Sequence, residues 1–331
     1  MFGGLLLLLF FWLQFFWDEP PEKVINGVSL VSPRGPVGDT AYVSLQQINA
    51  NFVAIIPYAF CPKDRPAVIF DHPRQWWGER INGMAQMVAD ARSLGFSVMV
   101  KPHLWVKGDG WPGDLQFDEE GWKLWEKDYR DYILKCAMAA DSLEVEMFCI
   151  GTEVRHSASG RSAFWRGLIV DVKKIYSGKL TYAANWDNYN KINFWSDLDY
   201  IGVDAYWPLD SSFRPTEEDL LEAWVPIRNE LRSFSSDFGR KIIFTEYGYQ
   251  SIEGTAARAW ERKERRLNLE AQALAYRTIY NVFWKEPWFA GGFLWKWYLN
   301  DRRGGVDDRS YTPQGKPAAT IIRRQYGVNA D

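Results

Sequence analysis

The sequence predicts a (β/α)8 barrel of the TIM type, folded as a single domain. Three observations carry that prediction. Eight short runs rich in β-branched and aromatic residues recur along the chain, longer amphipathic stretches separate most of them, and no run opens into a glycine-rich phosphate loop. A chain of 331 residues has room for such a barrel, which takes about 250 residues and often more. A doubly wound open sheet is the alternative topology, and the near-regular recurrence argues for closure. No internal repeat and no linker rich in Pro, Gly or Ser divides the chain.

The first element stands apart from the fold. MFGGLLLLLFFWLQFFW carries no charge until Asp18, and Pro20 and Pro21 follow. It reads as a signal h-region or a short membrane anchor. No Lys or Arg precedes the apolar run and no A-x-A site follows, which argues against a cleaved signal. At about 17–18 residues it is also at the short limit for a membrane span. Residues 1–22 are therefore set aside, 23–331 form the barrel domain, and the protein is expected to be exported, whether periplasmic, extracellular or membrane-anchored.

The strands then follow at 28–33 (VSLVSP), 52–60 (FVAIIPYAF), 96–106 (FSVMVKPHLWV), 147–153 (MFCIGTE), 180–186 (LTYAANW), 200–207 (YIGVDAYW), 241–249 (KIIFTEYGY) and 289–298 (FAGGFLWKWY). Between them, 78–95 places Ile81, Met84, Met87, Val88 and Ala91 on one helical face and closes on Gly95. The stretch 119–140 repeats Trp122, Trp125, Tyr129, Tyr132 and Ile133 at helical spacing. Residues 162–178 end on a glycine, and 265–284 form a further long amphipathic helix. The connection 187–199 is short and only partly helical.

Composition excludes several function classes. Net charge is −3, with no basic excess for nucleic acid and no charged tail. The three cysteines, Cys61, Cys136 and Cys149, are widely spaced and odd in number, so no disulfide framework is implied. The three histidines, His72, His103 and His156, fit no metal-ligand spacing, and no zinc or other cofactor is expected. No GxSxG, GxxxxGK[ST] or GxGxxG motif occurs. A monomer is expected. The aromatic content is high, at 18 Trp, 16 Tyr and 20 Phe. Such rings serve either a Trp-rich core or flat surfaces for the C–H faces of sugars.

In a barrel, chemistry sits at the carboxyl ends of the strands. Strand 3 ends in Lys101, His103 and Trp105, strand 4 in Glu153, strand 5 in Asn185 and Trp186, strand 6 in Asp204, Tyr206 and Trp207, strand 7 in Glu246, and strand 8 in Trp295 and Trp297. Alternation puts Cys149, Gly151 and Glu153 on one side of strand 4, and Phe293, Trp295 and Trp297 on one side of strand 8. FCIGTE and IIFTEYG share one local design: an apolar strand, then Thr, then Glu. Two carboxylates facing each other across the mouth are what glycoside hydrolysis requires, about 5–5.5 Å apart in a retaining enzyme. Their unequal roles need unequal environments. Trp76 and Trp77 form either an outer subsite or packing on the helix that follows. Arg155 and His156 read as solvated loop residues.

The chain resembles glycoside hydrolase family 113, within the clan of (β/α)8 retaining hydrolases. FCIGTE, LTYAANWDNY, YIGVDAYWPL, FTEYGY, WFAGGFLWKWY and the tail YTPQGKPA carry the resemblance, which runs from about residue 25 to 327. It implies an endo-acting β-1,4-mannanase with retention of configuration and a polysaccharide or oligosaccharide substrate. Glu153 would be the acid/base, Glu246 the nucleophile, Trp295 the platform under the sugar, and Tyr206 a partner of the nucleophile. Asn185, Asp204, His103 and Lys101 would be substrate contacts, and Trp105, Trp186 and Trp297 belong with them from their strand-end positions. One position departs from the clan: Thr152 stands where an Asn usually precedes the acid/base and contacts the sugar 2-hydroxyl. Another β-glycan (β-glucan, xylan, chitosan) or a non-catalytic glycan-binding barrel are the alternative readings.

Overall fold

A computed structural model of the chain describes residues 23–328 apart from 109, 210, 211, 213, 258–264 and 300–302. The apolar segment 1–22 lies outside the described residues. No helix among the described residues is long and apolar enough to cross a membrane.

Eight parallel strands close into a barrel: β1 (Ile25–Leu30), β2 (Phe52–Ile55), β3 (Ser97–Val100), β4 (Met147–Thr152), β5 (Lys179–Asn185), β6 (Ile201–Asp204), β7 (Ile242–Tyr247) and β8 (Phe289–Trp297). They pair in chain order, and β8 returns to β1. Inside, Ala54, Met99, Cys149, Ile243 and Phe293 pack into one apolar plug. Gly27 is required there, because a Cβ on it would stand 2.4 Å from the Phe293 ring.

The helices α1 (Val43–Gln47), α2 (Ile81–Ser93), α3 (Glu119–Ser142), α4 (Arg155–Gly160), α5 (Ser162–Lys173), α6 (Glu217–Phe238), α7 (Leu269–Phe283) and α8 (Pro317–Gly327) surround the barrel. In α3, the Asp118 side chain accepts a 2.8 Å hydrogen bond from Gly121 N, and Glu119 and Glu120 occupy the first turn, where carboxylates oppose the positive helix end. Its predicted aromatic stripe is the buried one, with Trp125 stacked on Tyr129 at 4.5 Å. The connection β5–β6 holds two single 3-10 turns, as its length predicts. The helix α6 was hidden in the sequence because it contains Pro226 and buries only Leu220, Trp224, Leu231 and Ser235.

Three strand predictions need correction. The runs 52–60 and 96–106 each break at a proline, Pro57 and Pro102. Their second halves, Tyr58–Cys61 and His103–Val106, leave the barrel and pair with each other in a small separate sheet, where Ile69–Phe70 joins the other edge of Tyr58–Cys61. Proline supplies no amide hydrogen to a ladder, so each barrel strand ends there. The first strand begins three residues earlier than its apolar pattern, at Ile25 instead of Val28.

Candidate active site

The carboxyl ends of the strands do not obey simple alternation. Between Cys149 and Thr152, β4 spends three residues where β5 spends two, from Thr181 to Ala183. This bulge turns Gly151 outward, where a Cβ would meet Tyr129 Oη at 2.5 Å and the Trp165 ring at 2.8 Å. The expected common face of Cys149, Gly151 and Glu153 is thus wrong. Glu153 reaches the mouth through the bulge and its own left-handed backbone, φ 54°. Strand β7 slips against β6 between Phe244 and Glu246. As a result Thr245 and Glu246 both face the barrel axis. A third irregularity in β8 places Trp295 opposite Ser29 but Trp297 opposite Leu30. Trp295 therefore lies in the mouth, while Trp297 is 2% exposed and donates from Nε1 to Ser44 Oγ at 3.1 Å. Trp297 is not a substrate contact.

Glu246 sits on a buried cationic base. Lys101 Nζ donates to Glu246 Oε1 at 2.6 Å, to Asp204 Oδ1 at 3.3 Å and to the Thr245 carbonyl at 3.2 Å. Tyr206 Oη donates to Glu246 Oε2 at 2.8 Å. Thr245 Oγ1 donates to Asp204 Oδ1 at 2.7 Å. Burial alone would lower the lysine pKa, but Asp204 and then Glu246 outweigh it, and Lys101 is held above the ordinary lysine value. Lys101 and Asp204 are both 0% exposed, so neither can touch a substrate. The sequence placed them correctly at strand ends and misassigned them as contacts, because it does not show depth.

Glu153 is surrounded differently. Its carboxylate accepts a 2.7 Å hydrogen bond from Trp111 Nε1, and no salt bridge to it exists among the described residues. Burial first, then the negative charges of Asp204 and Glu246, push its pKa up to about 8. Arg155 lies 4.7 Å over the Trp111 ring and donates to Asp114 at 2.8 Å, so it braces the indole instead of being a solvated loop residue. Trp111 was not singled out from the sequence. Its signal was there: a lone tryptophan in the glycine- and proline-rich loop GDGWPG, directly after the run 96–106.

His103 stacks on Trp295 at 5.8 Å and 4°, with Nε2 3.5 Å from Glu246 Oε1. Burial, then the charges of Lys101 and Lys296, lower its pKa well below the usual histidine value, so the ring is neutral. A cleft of about 960 Å³ joins His103, Trp111, Glu153, Tyr206, Glu246 and Trp295, together with Tyr58 and Tyr311, which sequence reasoning missed. Trp105 borders it from the small sheet, 52% exposed. On one flank the cleft continues past Glu153 to Asn185, Trp186 and Asp187, where Asn185 Nδ2 donates to Asp187 Oδ1 at 2.9 Å. On the other it continues past Trp295 to Trp76, which is 41% exposed, whereas Trp77 packs on the core. Of the two tryptophans, Trp76 therefore lines the cleft and Trp77 is packing. Among the described residues, no group of three or more His, Cys, Asp or Glu side chains could hold a metal ion.

The cleft is long, open and lined by aromatic rings, with two carboxylates of unlike environment at its centre. The family model described as Glycoside Hydrolase Family 113 matches residues 38–316. Among solved structures, a GH113 beta-mannanase, AaManA from Alicyclobacillus acidocaldarius in complex with ManMIm, is similar with a TM-score of 0.82 and 25% identity, over 92% of this chain and 98% of that one. Two further structures, both of GH113 beta-1,4-mannanase and one of them a complex, have TM-scores of 0.80 and 0.78 at 23% identity, each over 92% of this chain and 99% of the other. A comparison with curated protein sequences gives no significant match.

Proposed function

The chain belongs to glycoside hydrolase family 113, and from that premise we propose that it cleaves β-1,4-mannosidic bonds in mannan-type polysaccharides or oligosaccharides by double displacement, with Glu246 as nucleophile and Glu153 as acid/base. The observation that carries this reading is the unequal setting of the two glutamates. Glu246 is held by Lys101 and Tyr206, while Glu153 has only an indole donor and a pKa raised to about 8.

The charges assign the steps. Burial and then the Glu246 charge also raise the Asp204 pKa, to about 7. Glu153 enters the first step protonated, and Glu246, hydrogen-bonded by Lys101 and Tyr206, acts there as the carboxylate. In the first step the Glu246 carboxylate attacks the anomeric carbon, the glycosidic bond breaks, and the Glu153 proton passes to the departing oxygen. Glu246 is then a neutral ester and the charge has moved to Glu153. Loss of the Glu246 charge removes one of the causes that raised the Glu153 pKa, and the proton just given up leaves it a carboxylate able to act as base. In the second step Glu153 takes a proton from water, the oxygen attacks the anomeric carbon, and Glu246 leaves as carboxylate. Two inversions give retention. Neutral His103, stacked on Trp295, can exchange hydrogen bonds with a sugar hydroxyl without adding charge beside Glu246.

Mannose is supported by the family and by the beta-mannanases it resembles. A second reading, another β-glycan, is favoured by one observation. Thr152 donates its hydroxyl to the Pro102 carbonyl at 3.2 Å, so that hydroxyl hydrogen is committed within the protein rather than offered to a sugar 2-hydroxyl. Product analysis on β-mannan, glucomannan, β-glucan, xylan and chitosan decides between them. Release of short β-1,4-mannooligosaccharides from internal bonds is expected. Activity confined to glucan, xylan or chitosan would overturn the mannan reading and keep the hydrolase. We also propose export, on the strength of the apolar segment 1–22. A full-length chain retained in the cytosol on fractionation would refute it.

A further inference from the structure

The two ends of the cleft differ in charge. The end past Glu153 contains Asn185, Trp186 and Asp187; among the described residues its charged lining is Glu153 and Asp187, and Asp187 is paired with Arg155 at 3.5 Å. The end past Trp295 holds about 720 Å³, and its charged lining among the described residues is Arg34, Arg74, Lys296 and Arg303 against one carboxylate, Glu79. Glu79 Oε2 accepts from Trp76 N at 3.0 Å. Four cations stand together on a chain whose net charge is −3.

Their placement is ordered. The Arg34 guanidinium lies 4.9 Å from the Trp76 ring centre, Arg303 lies 5.5 Å from that of Tyr298, and Lys296 lies 5.3 Å from that of Trp295. An aromatic face limits the rotamers of a long cationic side chain while its N–H edge stays available. None of the three guanidiniums is paired with a carboxylate among the described residues. Rings for sugar faces and guanidinium forks for an anion therefore line one space.

The orientation follows from the two carboxyls. The leaving group departs on the side of the acid, Glu153, and the arm with Asn185 and Trp186 shares Glu153 with the centre. The cationic arm shares Trp295 and Lys296 but neither glutamate, so it holds the non-reducing side of the scissile bond.

We propose that the cleft beyond Trp295 is an anion-selective subsite, which seats a carboxylate-bearing sugar on the non-reducing side of the bond cleaved. The inference rests on the acid/base assignment above for its polarity. A carboxylate suits the forked donors of arginine, which bind it through two parallel hydrogen bonds. The substrate class is then a β-glycan carrying uronic acid residues, not a wholly neutral one.

The test compares β-1,4-mannopentaose with the same oligosaccharide carrying a C6 carboxylate on its non-reducing terminal sugar. At low salt the acidic form should have a kcat/KM about 3–10-fold higher, because the guanidiniums are exposed and screened. The preference should shrink in 1 M NaCl and fall towards one in the double variant Arg34→Gln, Arg303→Gln. Equal kcat/KM for the two forms at low salt, with the neutral one cleaved, overturns the inference and leaves the mannanase reading intact. If neither is cleaved, the mannanase reading fails, and the same pair is compared as ligands by calorimetry. Tighter, salt-sensitive binding of the acid that the double variant loses then supports the subsite, and equal binding overturns it. An uncharged sulfonamide or methyl ester at the same C6 binding as well as the carboxylate would also overturn it.

Discussion

The ends of β4 and β7 carry the same dipeptide, Thr-Glu, after the same kind of apolar run, and both strands slip out of register there. Around β7 the fold gathers a buried lysine, a tyrosine hydroxyl and a neutral histidine. Around β4 it supplies one indole N–H and the negative field of two other carboxyls. The shared Thr-Glu end thus becomes one glutamate paired with a buried cation and one whose carboxyl keeps its proton up to about pH 8. Burial and the negative charges of Asp204 and Glu246 keep the proton on Glu153, which has no salt bridge among the described residues.

The largest expected effect is at β7. Glu246→Ala should lower turnover on soluble mannan by about 10⁴-fold or more, as loss of a covalent nucleophile does. Near-wild-type turnover would exchange or abolish the roles assigned to the two strands. Next comes β4. Glu153→Gln should cost about 10²–10⁴-fold on mannan, whose leaving group needs a proton, and far less on an aryl glycoside with an activated leaving group in the glycosylation step. Equal losses on both substrates would remove the acid role.

Lys101→Met tests what makes the two regions differ. It leaves Asp204 and Glu246 buried without their cation, at about 3–5 kcal/mol of stability, and should lower kcat by roughly 10–100-fold. Urea unfolding and kinetics read the two effects separately, and an unaltered kcat in folded protein would show that the lysine does not hold the nucleophile. The smallest effect concerns the proton. The kcat/KM profile should fall as pH rises through about 8, where Glu153 ionises. Trp111→Phe removes a donor that favours the charged form, so this limb should move upward by a few tenths of a pH unit to about one. A limb unmoved by that change would separate Trp111 from Glu153. The same raised pKa has a stability consequence. The folded state binds a proton more tightly than the unfolded chain, so the contribution is complete below the ordinary glutamate pKa and is lost as pH rises towards 8. Melting temperature should therefore decline less over pH 5–9 in Glu153→Gln than in the parent.

Much of this was legible beforehand. The eight strand runs, the aromatic stripe of α3 and the two Thr-Glu ends follow from local pattern, since hydrophobic period and strand length are properties of a few neighbouring residues. Depth was not legible. Lys101 and Asp204 look like any polar strand end, and only the assembled barrel shows them 0% exposed beneath Glu246. Facing was not legible either at Gly151, Glu246 and Trp297, because strand alternation assumes an unbroken ladder, and each of these strands slips by a residue against its neighbour.

The sequence by itself determined the barrel, the order of its strands, and the residue types available at its mouth. The tertiary structure decided which of two like glutamates has a cation. The pairing of Lys101 with Glu246 spans 145 positions and that of Trp111 with Glu153 spans 42. No local rule reaches across such separations, and a pKa is set by what lies within a few ångströms in space, not by what precedes it in the chain.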